Sequence, residues 1–110
     1  MLLFAVAVMA ANRKFTLVID AGHGGTDHGA PGSYSKEKDL TLKYALAFGR
    51  YVEDNSPDVR VVYTRKTDVF VTLAGRADIA NKCNADLFLS FHINAVTGSK
   101  SAHGFQSWTL

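Results

Sequence analysis

Two histidines in this chain stand where a short apolar run meets small residues. Val18-Ile19-Asp20-Ala21-Gly22-His23-Gly24-Gly25 places the first, and Leu89-Ser90-Phe91-His92-Ile93-Asn94-Ala95 places the second. Open α/β sheets build their sites just beyond the carboxyl ends of strands, so both positions are candidates for chemistry. With Glu37 between them in sequence, His23 and His92 make a His/Glu/His set. That is the composition of a catalytic zinc site with three protein ligands and one position left for water. Water acidified there to a pKa of about 7 supplies a hydroxide nucleophile at neutral pH. Gly22, Gly24 and Gly25 let the backbone turn tightly and a bulky substrate approach. Asp20 is a candidate to orient a ligand imidazole from behind. Taken singly, these residues have plainer readings. A histidine after a strand is often a satisfied core or loop residue. Lys36-Glu37-Lys38-Asp39 reads equally well as a solvated helix start.

The elements that must position these residues follow from the apolar pattern. Phe15 to Asp20 reads as a strand closed by glycines, and Gly22 to Ser35, rich in glycine with Pro31, reads as a loop. Lys38 to Asn55 is helical by spacing. Leu42, Ala45, Leu46, Gly49 and Val52 form its apolar face, which Leu40, Tyr44, Phe48 and Tyr51 widen. Ser56-Pro57-Asp58 ends it. Val59 to Thr64 is a second strand. Thr72 is placed to cap a second helix from Leu73 to about Cys83, with Leu73, Ala77 and Ala80 on one face. Asp86 to Phe91 is a third, strongly apolar strand, and Gly104 to Leu110 has strand character. The order β-α-β-α-β predicts an α/β fold: a single domain whose mainly parallel sheet is flanked by helices on both faces.

Composition agrees with one globular domain: 110 residues, 47% hydrophobic and 20% charged. A net charge of +2 with scattered basic residues argues against a nucleic-acid partner. The single cysteine, Cys83, cannot form an internal disulfide and reads as a small buried packing residue. Residues 1–11 are nearly all apolar, too short to span a bilayer, and resemble the core of a secretory signal with Val8-Met9-Ala10 as cleavage site. The charged start of such signals is missing, and an ordinary buried N-terminal element is the alternative. Ending at Leu110 inside an apparent strand suggests an incomplete domain.

The resemblance to a known family rests on a longer series of residues. It begins with Ile19-Asp20-Ala21-Gly22-His23-Gly24-Gly25, Asp27, Gly29-Ala30 and Glu37-Lys38-Asp39. It continues with Tyr63-Thr64-Arg65, Asp68, Leu73, Arg76, Ala80-Asn81, Ala85-Asp86-Leu87-Phe88 and Ser90-Phe91-His92-Ile93-Asn94-Ala95. In this order they resemble the zinc-dependent N-acetylmuramoyl-L-alanine amidases, the type 3 amidase family of bacterial cell-wall hydrolases. The likeness runs from about Phe15 to Leu110, so residues 15–110 are expected to be the N-terminal portion of an amidase catalytic domain. It implies one zinc held by His23, Glu37 and His92. The implied reaction cleaves the amide between the lactyl group of N-acetylmuramic acid and L-alanine of the peptidoglycan stem. It implies an exported protein of the periplasm or cell envelope, acting on a muropeptide substrate, with no integral membrane span. An activator protein is left open. The family's catalytic glutamate lies in a stretch beyond Leu110, so no residue here is assigned as the base.

Other residues have structural readings. His28, where the family carries a small or proline-like residue, reads as an exposed loop residue. Arg65 and Arg76 are expected to pair with carboxylates such as Asp68 or Asp78 and hold loops. Asn94 either braces the turn after His92 or binds substrate, His103 is read as solvated, and the aromatics of the first helix are read as core. The leading expectation is therefore a zinc amidase. The alternative is a non-catalytic zinc- or peptidoglycan-binding module of amidase type that lacks the glutamate. A sugar deacetylase sharing only the metal chemistry is a third reading, disfavoured by the breadth of the motif series.

Overall fold

The run Phe-Thr-Leu-Val-Ile-Asp-Ala is rich in residues that suit extended backbone, and it forms β1 (Phe15–Ala21), the middle strand of the sheet. The structure, a computed structural model, describes residues 13–32 and 34–93. Strands β2 (Val59–Tyr63) and β3 (Leu87–Phe91) flank β1 in the order β2-β1-β3, and both pair with it in parallel. Parallel neighbours need long crossovers. These are supplied by α1 (Glu37–Asn55) before β2 and by α2 (Leu73–Lys82) before β3. Register sets Ile19 opposite both Tyr63 and Leu89, and Ala21 opposite Phe91. The carboxyl ends of β1 and β3 are therefore level, and the chain leaves both at one edge of the sheet. His23 and His92 follow those ends, as the sequence order requires.

Side chains alternate across the sheet. Leu17, Ile19 and Ala21 face α1, where Ala45 is fully buried and Leu42 and Val52 complete the contact with Val61, Leu89 and Phe91. Val18 is fully buried on the opposite face, which also carries Asp20. Burying Ile19 or Val18 contributes about 1.5–3 kcal/mol each. The second helix begins as its sequence dictates: Thr72 is extended, and its hydroxyl accepts the Gly75 N–H at 2.9 Å. The first ends at Asn55, with the Ser56 N–H donated to Val52 O ahead of Pro57.

Two expectations about packing, the first-helix aromatics and Cys83, need correction. Tyr44 and Tyr51 are more than half exposed, and Phe48, itself partly exposed, meets the sheet at Phe91 with tilted rings whose centroids are 5.7 Å apart. The first helix lies over β1 and β2 more than over β3, so the aromatic stripe on its β3 flank has no described layer to bury against. Leu73, the first residue of α2, is almost wholly exposed. With Ala77, Ala80 and Phe88 it walls an open groove of about 440 Å³ that reaches Asp20 and His92. Arg76 is the one residue of α2 that is buried. Cys83 is half-buried, not buried. Among the described residues no helix is long and apolar enough to cross a membrane. The signal-like residues 1–11, Asn94, His103 and the strand-like Gly104 to Leu110 lie outside the described residues.

Candidate metal centre

His23 sits in the left-handed region with φ 61°, directly after β1. This turn is held from three sides. Arg65 donates to Ala21 O and Gly22 O at 3.0 and 2.9 Å, and Arg76 donates to Ala21 O and His23 O at 2.8 Å each. The Thr41 hydroxyl on α1 donates to Gly22 O at 2.7 Å. Beyond His23 the chain folds back on itself: Gly24 and Asp27 exchange backbone hydrogen bonds at 2.8 and 3.0 Å. Lys38 fastens the next residue, bridging Gly25 O at 2.9 Å and the Asp68 carboxylate at 2.6 Å.

Glu37, the first residue of α1, is 6% exposed. Its Oε2 accepts the Ala30 N–H and its Oε1 accepts the Ile93 N–H, both at 2.8 Å. The same Oε1 lies 3.1 Å from His23 Nε2 and 3.5 Å from His92 Nδ1. One donor atom from each of the three residues falls within 4.8 Å of the others. Two glycines make this approach possible. A Cβ on Gly22 would strike the His92 ring, and one on Gly29 (φ 67°) would lie 2.7–2.8 Å from His23 and Glu37 atoms. Burial pushes the Glu37 carboxyl up, but the Ala30 and Ile93 amides and the two facing imidazoles outweigh it and hold the group below its usual value of 4.5.

The donor set suits a zinc ion. Tetrahedral ligands at about 2.0–2.1 Å from one ion lie about 3.3 Å from each other, which is near the two separations from Glu37 Oε1. Two imidazole nitrogens and one ionised, buried carboxylate oxygen are the right ligand types. His92 is 46% exposed at its side chain, so the set opens toward solvent and toward the groove beside α2. His28 is exposed and stands outside the set.

Asp20 does not orient an imidazole. On the far face of β1, its Oδ1 accepts from the Thr64 hydroxyl and Arg76 Nη1, and its Oδ2 from the Ser90 hydroxyl, all at 2.6 Å. Arg76 therefore pairs with Asp20, and Asp68 with Lys38; Arg65 spends its donors on backbone carbonyls and on the Thr41 hydroxyl. The carboxylate behind His23 is Asp27, whose Oδ2 lies 2.9 Å from Nδ1. Sequence reasoning missed it, although the four-residue spacing across two glycines was a usable signal for a chain reversal.

Several carboxylates are held below their ordinary range. At Asp20, burial acts upward but is outweighed by bonds from Ser90, Thr64 and Arg76 and by the Arg76 charge. Asp27 is lowered by its bond to His23, Asp68 by Lys38, and Asp86 by the Thr16 amide. A group with a depressed folded-state value stabilises the fold above its unfolded value, and that contribution vanishes as pH falls through the folded value. Circular dichroism should therefore show stability retained down to about the ordinary carboxylate values of 3.8 and 4.5, then lost progressively at lower pH. Denaturation midpoints that do not move between pH 5 and pH 2 would contradict these pairings.

The profile of the family described as N-acetylmuramoyl-L-alanine amidase matches residues 17–110. The chain is 40% identical over 92 residues to the sporulation-specific N-acetylmuramoyl-L-alanine amidase of Bacillus subtilis (strain 168), covering 84% of this chain and 34% of that protein. Among solved structures, it resembles an N-acetylmuramoyl-L-alanine amidase from Clostridium difficile 630 with a TM-score of 0.78 at 36% identity, over 84% of this chain and 50% of that one. It resembles the catalytic domain of CwlV from Bacillus (Paenibacillus) polymyxa var. colistinus with a TM-score of 0.75 at 38% identity, over 80% and 49%. The chain thus spans about a third of that curated relative and about half of the solved domains. Parallel strands, a shared edge and a motif series kept in order across this span agree in one assignment: the chain belongs to the N-acetylmuramoyl-L-alanine amidase family.

Proposed function

We propose that residues 15–110 carry the metal-binding part of a zinc-dependent amidase that cleaves between N-acetylmuramic acid and L-alanine in peptidoglycan. His23, Glu37 and His92 are its zinc ligands, Asn94 is a candidate for binding substrate, and residues 1–11 belong to an export signal that directs it to the cell envelope. The observation that carries this reading is the convergence of His23 Nε2, Glu37 Oε1 and His92 Nδ1 at the edge shared by β1 and β3. A zinc ion bound there supplies a Lewis acid for an amide carbonyl and acidifies water for attack.

The chain's own residues make the rest of the arrangement. Glu37 is fixed by two backbone amides, so its carboxylate stays ionised and aimed at both imidazoles. Arg65 and Arg76 hold the carbonyls of Ala21, Gly22 and His23, which fixes the turn that presents His23. The hollow next to His23 and His92 is walled by Phe70, Val71 and Leu73, an apolar surface on which a substrate's methyl groups can rest while its amide faces the donors.

Two measurements on the purified chain test the proposal. Metal analysis is expected to find one zinc per molecule. Release of free stem peptides from purified cell wall is expected to be slow but above background. Positioned acid–base groups contribute about 10²–10⁴-fold, and among the described residues no further carboxylate lies in the donor set. Zinc and cell-wall binding with no release would favour the non-catalytic module. Absence of zinc would overturn the metal assignment.

A further inference from the structure

We propose that Asp27 is the positioning residue for His23: it fixes the imidazole tautomer and so presents Nε2 to the metal. The inference rests on the proposed zinc site and adds a residue to it. The geometry is specific at each step. Asp27 is brought back to His23 by the paired backbone bonds between Gly24 and Asp27, which fold the chain over the two intervening residues. Its Oδ1 is then pinned by the Gly29 N–H at 3.1 Å, leaving Oδ2 aimed at His23 Nδ1 at 2.9 Å. A carboxylate can only accept, so Nδ1 must carry the proton. The opposite nitrogen, Nε2, faces Glu37 Oε1 at 3.1 Å in the donor set, and with Nδ1 keeping its proton it can give its lone pair to a metal that displaces any proton shared with Glu37.

The other described polar contact of the His23 ring is with Glu37, at Nε2. Without Asp27, Glu37 is the carboxylate left at the ring, and it favours the proton on Nε2, the nitrogen the metal needs. A carboxylate behind a ligating histidine is a recurrent way of setting ring orientation, and losing one typically weakens metal binding about 10–100-fold. The exposure of Asp27, whose side chain is 47% accessible, argues against a packing role, because replacing it opens no cavity.

The test uses the full chain, with zinc alone as the probe. In Asp27→Ala, competition against a chromophoric chelator should show zinc affinity about 10–100-fold below that of the parent, while His28→Ala, an exposed neighbour, should leave it unchanged. Nitrogen-15 spectra of the metal-free protein give the second readout. The parent should show His23 protonated at Nδ1, and Asp27→Ala should show the proton shifted toward Nε2, which faces Glu37. Asp27→Asn is nearly isosteric and guards against a folding defect. An amide turning its NH2 toward Nδ1 would favour the wrong tautomer, so the affinity loss should persist. Parent-like zinc affinity in both variants, or an unchanged His23 tautomer, would overturn the proposal. If the parent itself binds no zinc, the metal reading fails, while the tautomer measurement still decides whether Asp27 sets the ring.

Discussion

Replacing His92 with alanine is expected to remove zinc from the purified protein, with chelator-competition affinity falling well beyond the roughly 10–100-fold typical of losing a supporting partner. Three protein ligands leave no spare donor, and the nearest other carboxylates are engaged. Asp20 is bonded to Arg76, Thr64 and Ser90, and Asp27 to His23 and Gly29. Gly22→Ala separates ligand chemistry from ligand placement. It keeps all three donors but sets a methyl group against the His92 ring, so zinc affinity should fall although no donor is lost. Undiminished zinc in His92→Ala would remove that residue from the site, and undiminished zinc in Gly22→Ala would show that the ring can move aside without cost.

The largest effect on folding is expected from Arg76→Ala. Arg76 and Asp20 have side chains 7% and 4% exposed, and their contact is 2.6 Å. Removing one partner of a buried pair strands the other charge and costs about 3–5 kcal/mol. Arg76 also donates to Val71 O, Ala21 O and His23 O, and those carbonyls would lose their donor. Against a total stability of about 5–15 kcal/mol for domains of this kind, the variant should unfold at much lower urea than the parent. Arg76→Lys should lie between the two, because one ammonium cannot reach four acceptors set around a planar fork. A midpoint within experimental error of the parent would mean that solvent reaches Asp20 and that the pair contributes little.

The frame of this site was readable in the chain. Apolar runs bounded by glycine, proline or a capping threonine placed all five described elements to within about a residue, and Thr72 caps α2 as its position indicates. The parallel sheet followed from strands that alternate with helices, and it carried His23 and His92 to one edge. Residues whose roles depend on distant partners were not readable. Asp20 and Arg76 are separated by most of the domain in sequence, and nothing local in either segment signals their pairing. Asp20 looked like the partner of His23 because it lies close in sequence. In an extended strand, however, its side chain points across the sheet toward α2, not along the strand toward the turn. The exposed stripe of Tyr44 and Tyr51 failed for a related reason: periodicity tells which residues share a helix face, not whether another layer covers it.

The three donors belong to segments that the backbone joins only at a distance: the exit of β1, the first turn of α1 and the exit of β3. An ion gripping all three closes the chain from residue 23 to residue 92 as a reversible cross-link. A ligand that binds only the folded chain stabilises it by an amount that grows with the logarithm of its free concentration, about 2.7 kcal/mol at a hundredfold excess over Kd. The unfolded chain, with these residues far apart, offers no comparable grip. On the zinc site proposed above, metal supply would therefore act on the lifetime of the fold as well as on its chemistry.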